Sequence, residues 1–497
     1  MIPLSIFSVQ LMSDNLLLLA SVLVFVSVLV TKVGAKLGAP SLLLFLLLGM
    51  AVGKDGLGLT FEDYEIAESI GHFAMTVILF TGGFETVLSE TKPVMRRGIL
   101  LSSVGVTLTM LLTGTFIYFV SSGLIAGSQA GFLVCLLVAA VMSSTDSTSV
   151  FSVLHGKRLH LRGNLGQLLE LESGSNDPVA YILTILLVSF ISNPEIGGAT
   201  SWMMALSGTV IVILQVAVGL AVGFGVGYAA KWLLPKIKME NSALQGILIL
   251  STGFFANGLA SLLHGQGLLS IYVAAVIISN KADIGPKKDI AKFFDGITWM
   301  MQLAMFLILG LLARPSQMLH VAVPAVLTGL FLIFLARPAS VFLTLAPFRS
   351  MKFKEKLYVS WVGIKGAGPI LFALYPVVHE VEGASNIFNV VFIVSLMSLL
   401  LQGMSLIPVA KWLNLSYAED PKVQSFGLEL PEEMGMLSDH VVTADDLIGG
   451  KTLRELHLPH GIRVMMVKRD GKFLVPHGSM ELFEGDHLII IVGESDD

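Results

Sequence analysis

The chain has 497 residues, 54% hydrophobic and only 13% charged, with a formal net charge of −5 and a mean hydropathy of +0.81. Soluble proteins carry roughly 25% charged residues, so most of this chain belongs in a bilayer. The single cysteine, Cys135, excludes an intrachain disulfide framework and a thiolate metal site. The lack of a basic tract argues against nucleic acid as a partner.

Stretches of about 17–25 apolar residues read as spans. About thirteen occur, at 14–33, 40–53, 66–88, 98–122, 131–154, 164–192, 205–234, 243–263, 267–280, 292–312, 321–346, 357–376 and 387–413. A short hairpin at Gly265 separates the eighth from the ninth. No Lys or Arg precedes Lys32 and no small-residue cleavage site is evident, so 15–31 reads as a retained first span and not a signal peptide. Alternate loops carry the basic residues, among them Lys32 and Lys36, Arg96 and Arg97, Lys157 and Arg158, Lys236 and Lys238, Lys287 and Lys288, and Lys352 and Lys354. The intervening loops offer only Lys54 and Arg314. The positive-inside rule therefore puts the N-terminus outside and the tail in the cytoplasm.

The sixth span holds the chemistry. Glu170, Glu172, Ser173, Asn176, Asp177 and Pro178 fall inside it, where ionisable groups are costly and usually functional. On a helix Ser173 and Asp177 share one face, and Glu172 and Asn176 the neighbouring one. Pro178 lacks an N–H, which releases the carbonyl of Gly174 from its helical bond. Counting along the spans brings Asp146, Asp177, Arg337 and Lys365 near the bilayer centre. Glu172 has a permanent partner available in Arg337. Asp177 has none, so it must hold a proton or a cation.

Two spans are interrupted. The fifth carries the polar run 143–149 around Asp146, and the twelfth carries three glycines, Lys365 and Pro369 within 363–369. Both are poor helix interiors, and irregular backbone survives in lipid only where it lines a cavity or is buried in protein. A Ser/Thr or glycine packing surface is the plainer reading, but packing needs neither the carboxylate nor the lysine. The two breaks lie seven spans apart and are crossed in opposite directions, as expected of inverted repeats at spans 1–6 and 8–13. Asp146 would offset the N-terminal half-helix ends and Lys365 the C-terminal ones.

Beyond Leu413 the pattern changes to short apolar runs and turns. A linker at 414–424 leads to a small α+β module at 425–497. It would hold a hairpin of 463–468 with 472–475, a closing strand at 487–492 and a short helix at 453–456. No Gly-x-Gly-x-x-Gly follows a strand, so a nucleotide-binding half is not expected. His155, His160, His264 and His320 lie in loops without metal-ligand spacing, which leaves no intramembrane enzyme chemistry in view.

Residues 1–413 resemble the NhaP-type monovalent cation/proton antiporters. The resemblance rests on Thr145 and Asp146 in a broken span, on Glu172, Ser173, Asn176, Asp177 and Pro178 in the next, on Arg337, and on the glycine-rich twelfth span. It implies that Asp177 carries the cation or the proton, assisted by Asn176. It implies that Ser173, the backbone near Thr145 and, in some members, the residue matching Glu85 reach the cation. It also implies that Glu172 and Arg337 pair with each other and with Asn176. Lys365 stands where the family often has Arg, which keeps the charge but not the planar fork. The tail resembles a TrkA-C module through the run from Ile448 to Leu456 and the run from Phe483 to Ile489, which implies dimerisation and a small regulatory ligand.

The expectation is an α-helical polytopic protein of the bacterial inner membrane, with membrane lipid around it and no cofactor. It would exchange K+ or Na+ for H+, electroneutrally because only Asp177 titrates. The rivals are a tail-gated cation channel, although a carbonyl filter is missing, and an antiporter selective for Na+.

Overall fold

The computed structural model describes residues 16–37, 40–120, 131–146, 149–150, 159–192, 201–237, 239, 241–418, 437–443, 446–447, 450–456, 462–469 and 472–492. Two compact units divide after Tyr417. Of the expected linker, residues 419–424 lie outside the described residues, as does His155.

The first unit is a bundle of apolar helices. In chain order these are α1 (Leu18–Lys32), α2 (Ser41–Val52), α3 (Tyr64–Glu85), α4 (Met95–Val120), α5 (Phe132–Val141), α6 (Leu165–Ser192) and α7 (Leu206–Lys236). They continue with α8 (Ser242–Leu262), α9 (Gly267–Lys281), α10 (Lys287–Leu312), α11 (Pro315–Thr344), α12 (Phe353–Trp361), α13 (Ala367–Val378) and α14 (Ala384–Trp412). Eight of them, among the described residues, are long and apolar enough to cross a membrane. Their outer faces carry the large apolar side chains expected against lipid, such as Phe25, Leu206, Ile213 and Phe334.

Without a hydrophobic drive between helices in lipid, close packing falls to small residues. Gly219 and Gly223 of α7, four apart, bring that helix onto α9. A Cβ at Gly219 would lie 2.6 Å from the carbonyl of Gln266, and one at Gly223 2.7 Å from that of Ser270. The turn between α8 and α9 is the hairpin expected at Gly265. Its Gln266 caps α9, accepting from the Leu268 N–H at 3.3 Å. The same side chain donates to the carbonyl of Pro178 at 2.9 Å, so the hairpin is pinned to the proline of α6.

The second unit is a four-stranded antiparallel sheet. Its strands are β1 (Leu437–Val441), β2 (Ile462–Arg469), β3 (Lys472–Leu474) and β4 (His487–Val492), in the order β1-β4-β2-β3. Val442, Val467, Leu482 and Leu488 form its core. The hairpin and the closing strand fall where the sequence puts them. The helix expected at 453–456 does not form, and no helix occurs among the described residues of this unit. Backbone pairing takes that segment instead: the N–H groups of Leu453 and Arg454 donate to Met480 and Gly478, and that of Leu482 to Lys451. Four residues are too few for a helix to compete.

Candidate ion-binding site

The site is built where the two interrupted segments meet. α5 ends at Val141, the chain runs non-helically to Asp146, and helix resumes at Ser149. The second break separates α12 from α13. The Asp146 N–H donates to the carbonyl of Ile364 at 2.8 Å, so the breaks touch backbone to backbone. Lys365 reaches across to the open end of α5, its Nζ donating to the carbonyls of Ser144 at 2.7 Å and Ser143 at 3.3 Å. A cation placed on unpaired carbonyls offsets the negative end of the helix dipole.

Asp146 does the converse. Its carboxylate accepts from the Ser149 N–H at 3.2 Å and the Ser149 hydroxyl at 2.6 Å, capping the resumed half-helix. It also lies against Gly366, the N-cap of α13, where a Cβ would overlap the carboxylate. α14 braces the crossing from behind. The Lys365 N–H donates to Ser398 at 2.9 Å, the Ser398 hydroxyl to Gln402 at 2.5 Å, and the Gln402 amide to the Trp361 carbonyl at 2.7 Å.

α6 docks on this crossing through Thr145. The Ser173 hydroxyl donates to the Thr145 carbonyl, and the Asn176 amide donates to the Thr145 hydroxyl at 2.6 Å. Arg337 forms a buried ion pair with Glu172. A π-helical turn, Leu332–Ala336, immediately precedes Arg337; such turns re-aim the residues that follow. Gly363 makes room for the guanidinium, since a Cβ there would lie 2.8 Å from Arg337 Nε. Asn176 does not join this pair, contrary to the expectation. Thr145 presents hydroxyl and carbonyl together to α6 and takes the amide first.

Asp177 faces the other way. It lines a cavity of about 70 Å³ together with Ser173, Asp146, Glu170, Tyr272 and Gly368. Among the described residues it forms no ion pair. Gly368 keeps the cavity open at this point: a Cβ there would lie 3.4 Å from both Asp177 Oδ1 and Ser144 Oγ. Glu170 is held by the Thr86 hydroxyl at 2.9 Å, and that hydroxyl lies 3.3 Å from the Tyr272 hydroxyl.

The structure thus brings Asp177, Ser173 and Asp146 to one cavity, with Thr145 directly behind Ser173. Glu85 is not among the residues lining it; its carboxyl lies near those of Asp295 and Glu170. Sequence reasoning missed Ser144, Tyr272, Ser398 and Gln402. The last two carried a signal, being polar residues four apart in an otherwise apolar span.

A membrane bundle in which two interrupted helices cross, with Lys365 and Asp146 set against half-helix ends, is a scaffold for moving ions rather than for converting a substrate. The chain belongs to the transmembrane sodium/hydrogen exchanger family, which it matches over residues 21–412. It is a multi-pass cation/proton antiporter and not an enzyme. A TrkA-C domain follows at 437–496.

Among its relatives, the K(+)/H(+) antiporter NhaP2 of Shewanella sp. (strain ANA-3) is 34% identical over 96% of this chain and 81% of that protein. The K(+)/H(+) antiporter NhaP of Alkalimonas amylolytica is 32% identical over 97% of this chain and 81% of its own length. In fold the chain is similar to the sodium proton antiporter MjNhaP1 of Methanocaldococcus jannaschii. The TM-score is 0.66 at 22% identity, covering 79% of this chain and 97% of that one.

Proposed function

We propose that the protein exchanges cytoplasmic K+, or Na+ as the alternative, for external H+ in a 1:1 electroneutral cycle, with Asp177 holding either the cation or the proton. One observation carries this reading. Around a single crossing Glu172 is paired with Arg337 and Lys365 with two carbonyls, while Asp177 faces an ion-sized cavity and, among the described residues, forms no salt bridge. A buried carboxylate without a resident counter-ion is neutralised by whatever enters. Oxygen ligands from Asp177, Ser173 and Thr145 suit a hard monovalent cation. Asn176 beside Asp177 is neutral, so one group titrates and one charge moves each way.

In this reading Glu172 and Arg337 are structural, Asp146 and Lys365 compensate the half-helix ends, and Glu85 with Asp295 draws cations toward Asp177. K+ is favoured over Na+ because relatives at 32–34% identity are K(+)/H(+) antiporters, whereas the probable Na(+)/H(+) antiporter 2 of Methanocaldococcus jannaschii is 25% identical. Residues 1–413 would form the exchanger in the bacterial inner membrane, as a homodimer with its N-terminus outside. Residues 425–497 would regulate it from the cytoplasm through a small ligand.

The test is dissipation of a pH gradient in proteoliposomes on adding K+, Na+, Li+ or Rb+. K+ should collapse the gradient at the lowest concentration, without generating a membrane potential. A potential during turnover would overturn the stoichiometry. Cation current without a pH gradient would favour a channel.

A further inference from the structure

A second cavity, of about 810 Å³, opens between α4 and α6 on one side and α7 and α9 on the other. Its walls are almost wholly apolar, including Ile99, Leu108, Ile182, Val216, Phe224 and Val276. At the end where α3 gives way to α4, Thr86, Thr91 and Lys281 line it. Lys281 is exposed and, among the described residues, makes no ion pair or hydrogen bond. The wall between this cleft and the ion cavity is one side chain thick. Tyr272 lines both, and Thr86, which faces the cleft, holds the Glu170 that faces the ion cavity.

Water needs two to four polar partners to settle in such a space, and an empty apolar space forfeits the dispersion contacts of its lining. Within a bilayer the available filler is hydrocarbon, and an unpaired lysine at a membrane interface attracts anionic headgroups. We propose that this cleft holds one acyl chain of an anionic phospholipid, its phosphate on Lys281, and that the chain braces the Tyr272–Thr86–Glu170 wall of the ion cavity. The proposal rests on the placement of these helices in a membrane and not on which ion is exchanged, so it stands or falls separately from the antiport mechanism.

The full-length protein would be reconstituted with phosphatidylglycerol or phosphatidylcholine carrying a photoreactive diazirine on one acyl chain. Wild type would be compared with Lys281→Glu and Val216→Trp, each first checked for a monodisperse, helical fold. The anionic lipid should label peptides containing Ile99, Val216 or Val276. In Lys281→Glu that label should fall at least about fivefold, and in Val216→Trp the label from both lipids should disappear. Equal labelling by the two lipids, or no effect of Lys281→Glu, would each overturn the proposal. Phosphatidylglycerol retained through purification, lost in both variants, supports it independently of any transport measurement.

Discussion

Glu172 and Asp177 stand five residues apart on α6 and are treated oppositely. Glu172 is buried against Arg337, while Asp177 faces a cavity and, among the described residues, forms no ion pair. The half-helix ends beside them follow the first pattern, Lys365 on the carbonyls of Ser143 and Ser144 and Asp146 on Ser149. Charges that meet protein partners hold the crossing together; in the proposed mechanism Asp177 finds its partner among the ions that pass.

The comparison breaks most severely at the paired side. Arg337→Met leaves Glu172 buried without its partner, a change that costs about 3–5 kcal/mol. Folded protein recovered in detergent should fall sharply, and adding Glu172→Leu should restore most of it. If the single variant were as stable as wild type, the pair would not be structural.

Lys365→Met uncovers the two carbonyls at the end of α5, with an expected loss of about 1–3 kcal/mol. Lys365→Arg, which keeps the charge, should retain most of the thermal stability. Gly366→Ala should destabilise whatever the charge, because its methyl meets the Asp146 carboxylate.

The second unit offers the same contrast in a soluble setting. There Arg469 holds Asp486 through two hydrogen bonds of 2.8 and 2.6 Å. Burial by itself raises the Asp486 carboxyl, yet the Arg469 guanidinium and the Phe483 N–H outweigh it and hold the carboxyl below its usual value. A depressed carboxyl stabilises the fold above its unfolded value, about 3.9, and that contribution is lost as pH falls through the folded value. The protection factors of Ile489 and Ile490 against hydrogen exchange, each taken relative to the intrinsic rate at that pH, should therefore be steady from neutral pH to about 5 and fall below about 4. Asp486→Asn should lower them at neutral pH, by an amount equivalent to about 1–3 kcal/mol.

The smallest effect is expected at the cavity wall. Ser173→Ala removes one oxygen ligand and should raise the half-saturating cation concentration about tenfold or less, with maximal exchange nearly kept. An unchanged half-saturation would exclude Ser173 from the coordination shell.

Much of this was legible in the residues. Apolar run lengths located the helices, and a carboxylate and a lysine in two broken spans announced the crossing, because buried charge in lipid demands a reason. The pairing of Glu172 with Arg337 followed from the same scarcity. What stayed hidden was the neighbourhood of groups that have several partners within reach. Asn176 shares a helical face with Glu172, and only the path of the break shows that Thr145 intercepts it. Glu85 and Asp295 lie on different helices whose contact no periodicity reveals. In the second unit β1 was missed because 437–441, with Ser438, Asp439 and His440, reads as a polar turn until β4 pairs with it in register. Local helix preference at 453–456 lost to backbone pairing that spans more than twenty residues.

The central claim is that Asp177 is the group shared in turn by cation and proton. It is tested most directly by placing wild type and Asp177→Asn side by side in proteoliposomes and following both pH-gradient dissipation and tracer Rb+ exchange. The variant should fold and insert normally, since Asn preserves the shape, yet show neither activity above empty vesicles while wild type shows both. Cation-driven proton movement at the wild-type rate in Asp177→Asn would contradict the account.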